Sequence, residues 1–240
     1  MNVSIIKTTM LGLFCFLAIS SYGQAKYTFP PREEWEHLRT PFERKKALQI
    51  PQEELSKIPT NDLIDICMDY PYITDIVFSN SLLTGIDQLL IDFIGFTELI
   101  RRKDLGGFMV EKSWAYNDSL LSLPQKSEYE KGRFAFKCLL FELLLSRDEV
   151  IENLDTKQIR ELTLSTVQRD SLKWKYTNVF GGYNFLSSCA FYVKQILRTP
   201  NYKYQNSIGR EQLELFLINP IRNNPIANQE VNCFLKNIAY

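Results

Sequence analysis

Histidine is nearly missing from this sequence. One imidazole, His37, serves 240 residues, and it lies in a charged stretch beside Trp35 and Glu36. Ser-His-Asp and Cys-His sites need a firmly held imidazole, and zinc sites usually draw on several His or Cys, so most familiar hydrolytic and metal constellations fall away. His37 reads as a surface residue. An excess of charge of either sign is missing too. The 28 basic residues balance 28 acidic ones, which leaves no electrostatic case for nucleic acid or an anionic membrane surface. Strand-like alternation of any length is lacking. Without a strand to precede them, Gly106-Gly107 and Gly181-Gly182 read as helix stops and not as phosphate-binding loops. No C-x-x-C pair occurs, so metal or redox chemistry has little support. No catalytic, metal or cofactor-binding set is legible, and the expected cofactor complement is none.

What is present begins with an export signal. Lys7 precedes an apolar run from Met10 to Ile19, followed by Ser20-Ser21-Tyr22-Gly23-Gln24. A short positive segment, an apolar core and small residues at the exit describe a secretory signal peptide over residues 1–23, cleaved after Gly23. The run is too short to span a bilayer, which needs roughly twenty apolar residues, and no later segment is longer. Cys15 sits inside the run, where it does not suit lipid attachment. A secreted or periplasmic mature chain with no membrane span is expected.

The mature chain reads as all-α, built from paired short helices, with an α-α superhelix as one arrangement open to them. Residues 24–50 form an arm stiffened by Pro30-Pro31 and the first helices; residues 51–240 form a single helical domain. The richest apolar stripe runs from Leu82 to Ile94. At 100° per residue Leu82, Leu83, Ile86, Leu89, Leu90, Phe93 and Ile94 share one arc, which only Ile91 interrupts, and Gly95 reads as the break that follows. Thr40-Pro41-Phe42-Glu43, Ser127-x-x-Glu130 and Ser146-Arg147-Asp148-Glu149 carry capping-box spacing, and Thr60 and Thr156 read as caps. A second apolar helix spans Tyr183 to Leu197, with Phe185, Leu186, Cys189, Tyr192, Val193 and Ile196 inward.

A weak internal echo links two segments. Glu53 to Ile66 aligns without gaps on Glu149 to Leu162, each reading as a short helix, a corner and a second helix. Coincidence between two amphipathic starts accounts for it equally well; a true repeat implies stacked helical pairs. Ala47-Leu48-Gln49-Ile50-Pro51, Cys67-Met68-Asp69-Tyr70-Pro71-Tyr72 and Gly95-Phe96-Thr97-Glu98-Leu99 together resemble a family of uncharacterised secreted all-helical proteins from Bacteroidetes. The likeness covers much of residues 45 to 200. It implies an exported helical domain and brings no catalytic or ligand residues with it.

Five features are candidates for function. Glu142 lies between Phe141 and Leu143 in an apolar helix. A carboxylate buried there is either perturbed for function or paired with an Arg or Lys. Tyr70 and Tyr72, and Tyr202 and Tyr204, are candidate contact aromatics, because exposed aromatics dominate binding energy. Asp62, Asp65 and Asp69 share one helix face, where a solvated acidic surface is the plain reading and a calcium site the sharp one. Cys67, Cys138, Cys189 and Cys233 remain after cleavage. They read as free thiols, the first three on apolar helix faces, although an exported chain permits disulfides. The expected function is a non-catalytic protein- or peptide-binding or structural module of the cell envelope. The alternative is a carboxylate-dependent envelope hydrolase acting on glycan or cell wall, which needs no histidine.

Overall fold

Helix propensity and apolar spacing dictate an interior built from helices alone, and the computed structural model of the chain has that form. It describes residues 27–218 and 224–238. Among them no strand occurs. The proposed signal peptide, and Asn219-Pro220, whose sequence reads as a turn, lie outside the described residues.

The chain enters through an extended arm and three short helices: α1 (Arg32–Trp35), α2 (Pro41–Ala47) and α3 (Gln52–Leu55). The Thr40 hydroxyl accepts from the Glu43 amide while Glu43 accepts from the Thr40 amide, so the capping box at α2 forms. Next come α4 (Thr60–Met68), a 3-10 turn (Ile73–Phe78), α5 (Leu82–Asp92) and α6 (Ile94–Leu99). Four long helices dominate the second half: α7 (Leu105–Leu121), α8 (Glu128–Leu145), α10 (Thr156–Lys173) and α11 (Gly182–Arg198). Short α9 (Asp148–Ile151) sits between α8 and α10, and α12 (Gly209–Ile218) and α13 (Pro225–Ile238) follow. Pairing among the long helices alternates. α7 lies along α10, α8 along α11, and α10 also touches α11. The main hydrophobic core draws on residues from Leu48 to Val231, and a smaller cluster gathers Leu120, Leu123, Phe134, Cys138 and Phe180.

Several predicted boundaries shift, each for a local reason. α5 ends at Asp92, because Phe93 adopts an extended backbone (φ −137°, ψ 112°) that turns its ring into the core. Gly95 is therefore not the break. It lies inside α6, where an added Cβ would come within 2.4 Å of the Phe93 ring. Ser146 opens no helix; its hydroxyl donates back to the Leu143 carbonyl and closes α8, and Arg147 precedes α9 without a side-chain cap. At α10 the cap is Asp155, which forms the box with Gln158 one residue before Thr156. Thr60 follows Pro59 as the first helical residue and donates instead to Asp104. Gly106 and Gly107 start a helix rather than stop one. Gly106 lets α7 approach α10, since a Cβ there would reach within 2.7 Å of the Gln158 side chain. Gly181, too, is the residue that precedes α11. The Ser127–Glu130 box forms as spaced.

The two segments of the internal echo share a local plan of short helix, corner and longer helix, realised as α3–α4 and α9–α10.

Candidate functional site

The alternating helix pairs bring a set of ionisable side chains together inside the core. Glu142 comes from the middle of α8, where the helix is apolar on nearly every side and its wheel position leaves no route to water. Its exposure is 0%. Arg169 and Lys173, one turn apart on α10, are equally buried. Arg169 Nε donates to Glu142 Oε1 at 2.8 Å, and Lys173 Nζ donates to both Glu142 oxygens at 2.7 and 2.8 Å. Ser187 of α11 adds a hydroxyl donor to Oε2 at 2.7 Å. Burial by itself would raise the pKa of Glu142, but Lys173 and Arg169 outweigh it and hold the carboxyl below the usual range. The same carboxylate, working against burial, keeps both cations charged.

The remaining donors are used as well. Arg169 reaches the Ser113 carbonyl and hydroxyl on α7 at 3.0 and 3.1 Å, and the Thr166 hydroxyl at 3.1 Å. Its guanidinium lies 5.5 Å from the centre of the Phe141 ring. Lys173 also donates to the Asn184 carbonyl at 3.0 Å. Small polar residues on α7 and α10 (Ser113, Asn117, Ser165, Thr166) are buried at the crossing, which gives the guanidinium room. A buried ionic cluster holds together only when its donors and acceptors are matched in this way.

Asp170 completes the cluster and is its one member that opens outward. It accepts from Lys173 at 3.2 Å, from the Ser188 hydroxyl at 2.9 Å and from the Tyr192 hydroxyl at 2.9 Å. About a fifth of its side chain stays accessible (19%), and that part lines a cavity of about 750 Å³. Burial, with Glu142 nearby, pushes its pKa above the ordinary aspartate value even though Lys173 pulls it down. The cavity lies among the C-terminal end of α10, the turn into α11, and α11, α12 and α13. Its walls carry five aromatic rings: Trp174, Phe180, Phe185, Tyr192 and Phe216. Trp174 stacks on Phe185 with centroids 4.3 Å apart, yet it remains 66% exposed. Cys189 lines the same cavity, and burial pushes its thiol pKa up to about 12, so it is no nucleophile at neutral pH.

The other sequence candidates lie elsewhere. Tyr70 is 1% exposed and stacks on Phe93 at 4.6 Å, so it offers no contact surface. Tyr72 is half-buried between Trp35 and the Lys45 ammonium. Tyr202 and Tyr204 are half-buried against each other, and the Tyr202 hydroxyl donates to the Glu230 carbonyl, which ties their loop to α13. Asp65 pairs with Lys112, and Asp69 with Arg133 and Lys137. No group of side chains suited to a metal ion occurs among the described residues. Cys67, Cys138, Cys189 and Cys233 are free thiols. His37 is exposed, and its ring Nδ1 lies 3.1 Å from the Glu33 carbonyl.

Sequence reasoning picked out Glu142 but missed Asp170, Trp174 and the cavity. Phe185, Cys189 and Tyr192 were legible as an inward face of α11; that the face meets a void instead of a neighbour was not. The only signal pointing there was Asp170 and Lys173 flanking the α10 end beside Trp174. Compared with family models, curated proteins and solved structures, the chain matches none.

Proposed function

We propose that this chain is a non-catalytic binding module of the cell envelope that holds a segment of a peptide or protein partner in the aromatic cavity. Trp174 carries the reading. It lines the cavity and is two-thirds exposed. Only an occupant that extends beyond the cavity would cover it, and Trp is the side chain most enriched among binding hot spots. A cavity of this size lies in the range that ordinary ligand sites occupy. The helical walls have their backbone groups already bonded within the helices, so recognition rests on side chains and not on strand addition.

The hydrolase alternative has less to stand on. Glycoside hydrolysis needs two carboxyl groups flanking one bond. Here one carboxylate, Asp170, faces the cavity, while both Glu142 oxygens are occupied by Lys173, Arg169 and Ser187. The envelope location rests on the signal-peptide pattern of residues 1–23 and on the resemblance to secreted Bacteroidetes proteins.

Selection of a random peptide library on the mature chain tests the proposal. Selected peptides should lose at least about tenfold in affinity on Trp174→Ala, the loss expected for one aromatic anchor, with the melting temperature unchanged. Peptides that bind the variant as tightly as the wild type would remove the cavity as the binding site.

A further inference from the structure

We infer that the group entering the cavity is a basic side chain of the partner peptide, an ammonium on an apolar stem, seated against Asp170. The inference rests on the peptide-binding reading and adds the chemistry of the occupant. Three observations carry it. First, Asp170 is the only Asp, Glu, Lys, Arg or His among the cavity-lining residues described, and burial keeps the Cys189 thiol and the Tyr192 phenol beside it neutral. An anionic group would meet a carboxylate with no cation on the wall to offset it. Second, five aromatic rings share the cavity with that carboxylate. Ring faces attract cations, and aromatic walls around one anion form the usual environment for an alkylammonium group. Third, a lysine stem is a run of methylenes that packs on apolar walls while its tip seeks a charge.

The buried cluster meets that charge in part, through the ion pair between Lys173 and Asp170. Glu142 holds Arg169 and Lys173 in contacts of 2.7 to 2.8 Å, whereas Lys173 reaches Asp170 only at 3.2 Å. Arg169 extends the other way, toward Ser113 and Thr166. Lys173 and Arg169 on its own helix, Glu142 from α8, and Tyr192 and Cys189 from α11 are the ionisable groups around Asp170. α12 and α13 bring none to the cavity among the described residues. Burial raises the pKa of Asp170, with the Glu142 charge adding to it and Lys173 opposing it.

Three tripeptides that differ only at the centre provide the test: acetyl-Phe-Lys-Leu-amide, acetyl-Phe-norleucine-Leu-amide and acetyl-Phe-Glu-Leu-amide. Calorimetry would give the affinities, and the indole N–H resonance of Trp174 would place binding in the cavity. The lysine peptide should bind about tenfold more tightly than the norleucine peptide, with the glutamate peptide weakest. Asp170→Asn should erase the lysine advantage and leave the norleucine affinity within about twofold. If Asp170→Asn fails to fold, the wild-type ranking decides alone. A pH series adds a second readout. The lysine affinity should rise with pH as Asp170 sheds its proton, and the norleucine affinity should stay flat. Equal lysine and norleucine affinities, with the Trp174 resonance shifting for both, would overturn the cationic occupant and leave the binding cavity standing. No shift of Trp174 with any of the three would sink the cavity reading and the occupant with it.

Discussion

Around Phe93 the interior is apolar: the ring stacks on Tyr70, meets Phe96 edge-on at 5.7 Å and takes Phe29 of the N-terminal arm at 5.5 Å. Around Glu142 the interior is ionic, with two buried cations and a hydroxyl converging on one carboxylate. Both regions fill the gaps between packed helices, yet they specify the fold differently. An aromatic cluster tolerates small shifts, because dispersion is non-directional and each contact is worth little. A buried charge cluster has no such latitude. A carboxylate that slips from its partners is left desolvated and unpaired, which costs far more than a loosened ring contact. The ionic cluster links α7, α8, α10 and α11 through side chains of Ser113, Glu142, Arg169, Lys173 and Ser187, and the cavity beside Asp170 borders that junction.

Breaking the ionic side should give the largest effect. Glu142→Gln leaves Arg169 and Lys173 buried without their main anion, and unfolding in urea at pH 7 should show a loss of about 3–5 kcal/mol. The pH dependence has a definite sign. The folded pKa of Glu142 is lowered, so its stabilisation is present above the ordinary carboxylate pKa and is lost as pH falls through the folded value. The gap between wild type and Glu142→Gln should therefore be widest near neutrality and close in acid. Asp170 works in the opposite direction. Its folded pKa is raised, so it favours the folded state most below its ordinary pKa, and that contribution fades as pH rises through the raised value. A gap that stays constant from neutral pH into acid would mean Glu142 is not held as an ion.

The aromatic side should yield a smaller effect that does not depend on pH. Phe93→Leu removes a ring from a fully buried position and forfeits its stacking on Tyr70. About 1–2 kcal/mol should be lost, the sum of the missing ring volume and the lost aromatic pair. The same loss should appear at each pH where Glu142→Gln shows a changing one. A Phe93→Leu loss that tracked pH would couple the two regions and weaken the contrast between them.

The two regions also differ in how far the sequence announces them. The apolar face of Leu82–Asp92 reads directly from its 3.6-residue period, and Glu142 stands out because it interrupts an apolar run. Both are local signals. The partners of Glu142 lie 27 and 31 residues further on, in a helix whose composition is polar, and nothing in Arg169 or Lys173 distinguishes them from solvated residues before the helices pair. Helix ends show the same limit. Ser127 and Thr40 cap as their spacing predicts, whereas the Ser146 hydroxyl is claimed by its own helix and Asp155 outcompetes Thr156 by one position. Tyr70 reads from sequence as a contact aromatic, because nothing local reveals that the rings of Phe29, Phe93 and Phe96 join Tyr72 around it.

The smallest expected effect sharpens the comparison most, because it isolates one hydroxyl in each region. The Tyr70 hydroxyl is buried and finds no hydrogen-bond partner among the described residues. A polar group left unsatisfied in an apolar setting works against folding, so removing it relieves a cost. The neighbouring charges do not change this. Burial, with Asp92 and Asp75 nearby, pushes the Tyr70 pKa up, so the phenol stays neutral and no ion is lost. Tyr70→Phe should therefore leave stability unchanged or raise it by up to about 1 kcal/mol, with the Phe93 stack retained. Tyr192→Phe removes the same atom from a residue equally withdrawn from solvent, but there the hydroxyl donates to Asp170 at 2.9 Å. Removing a donor to a charged acceptor should cost about 1.5–3 kcal/mol. Urea unfolding of both variants at pH 7 measures the difference. Equal losses would show that the Tyr70 hydroxyl is as well satisfied as that of Tyr192, and the aromatic region would then share the polar specificity assigned to the ionic one.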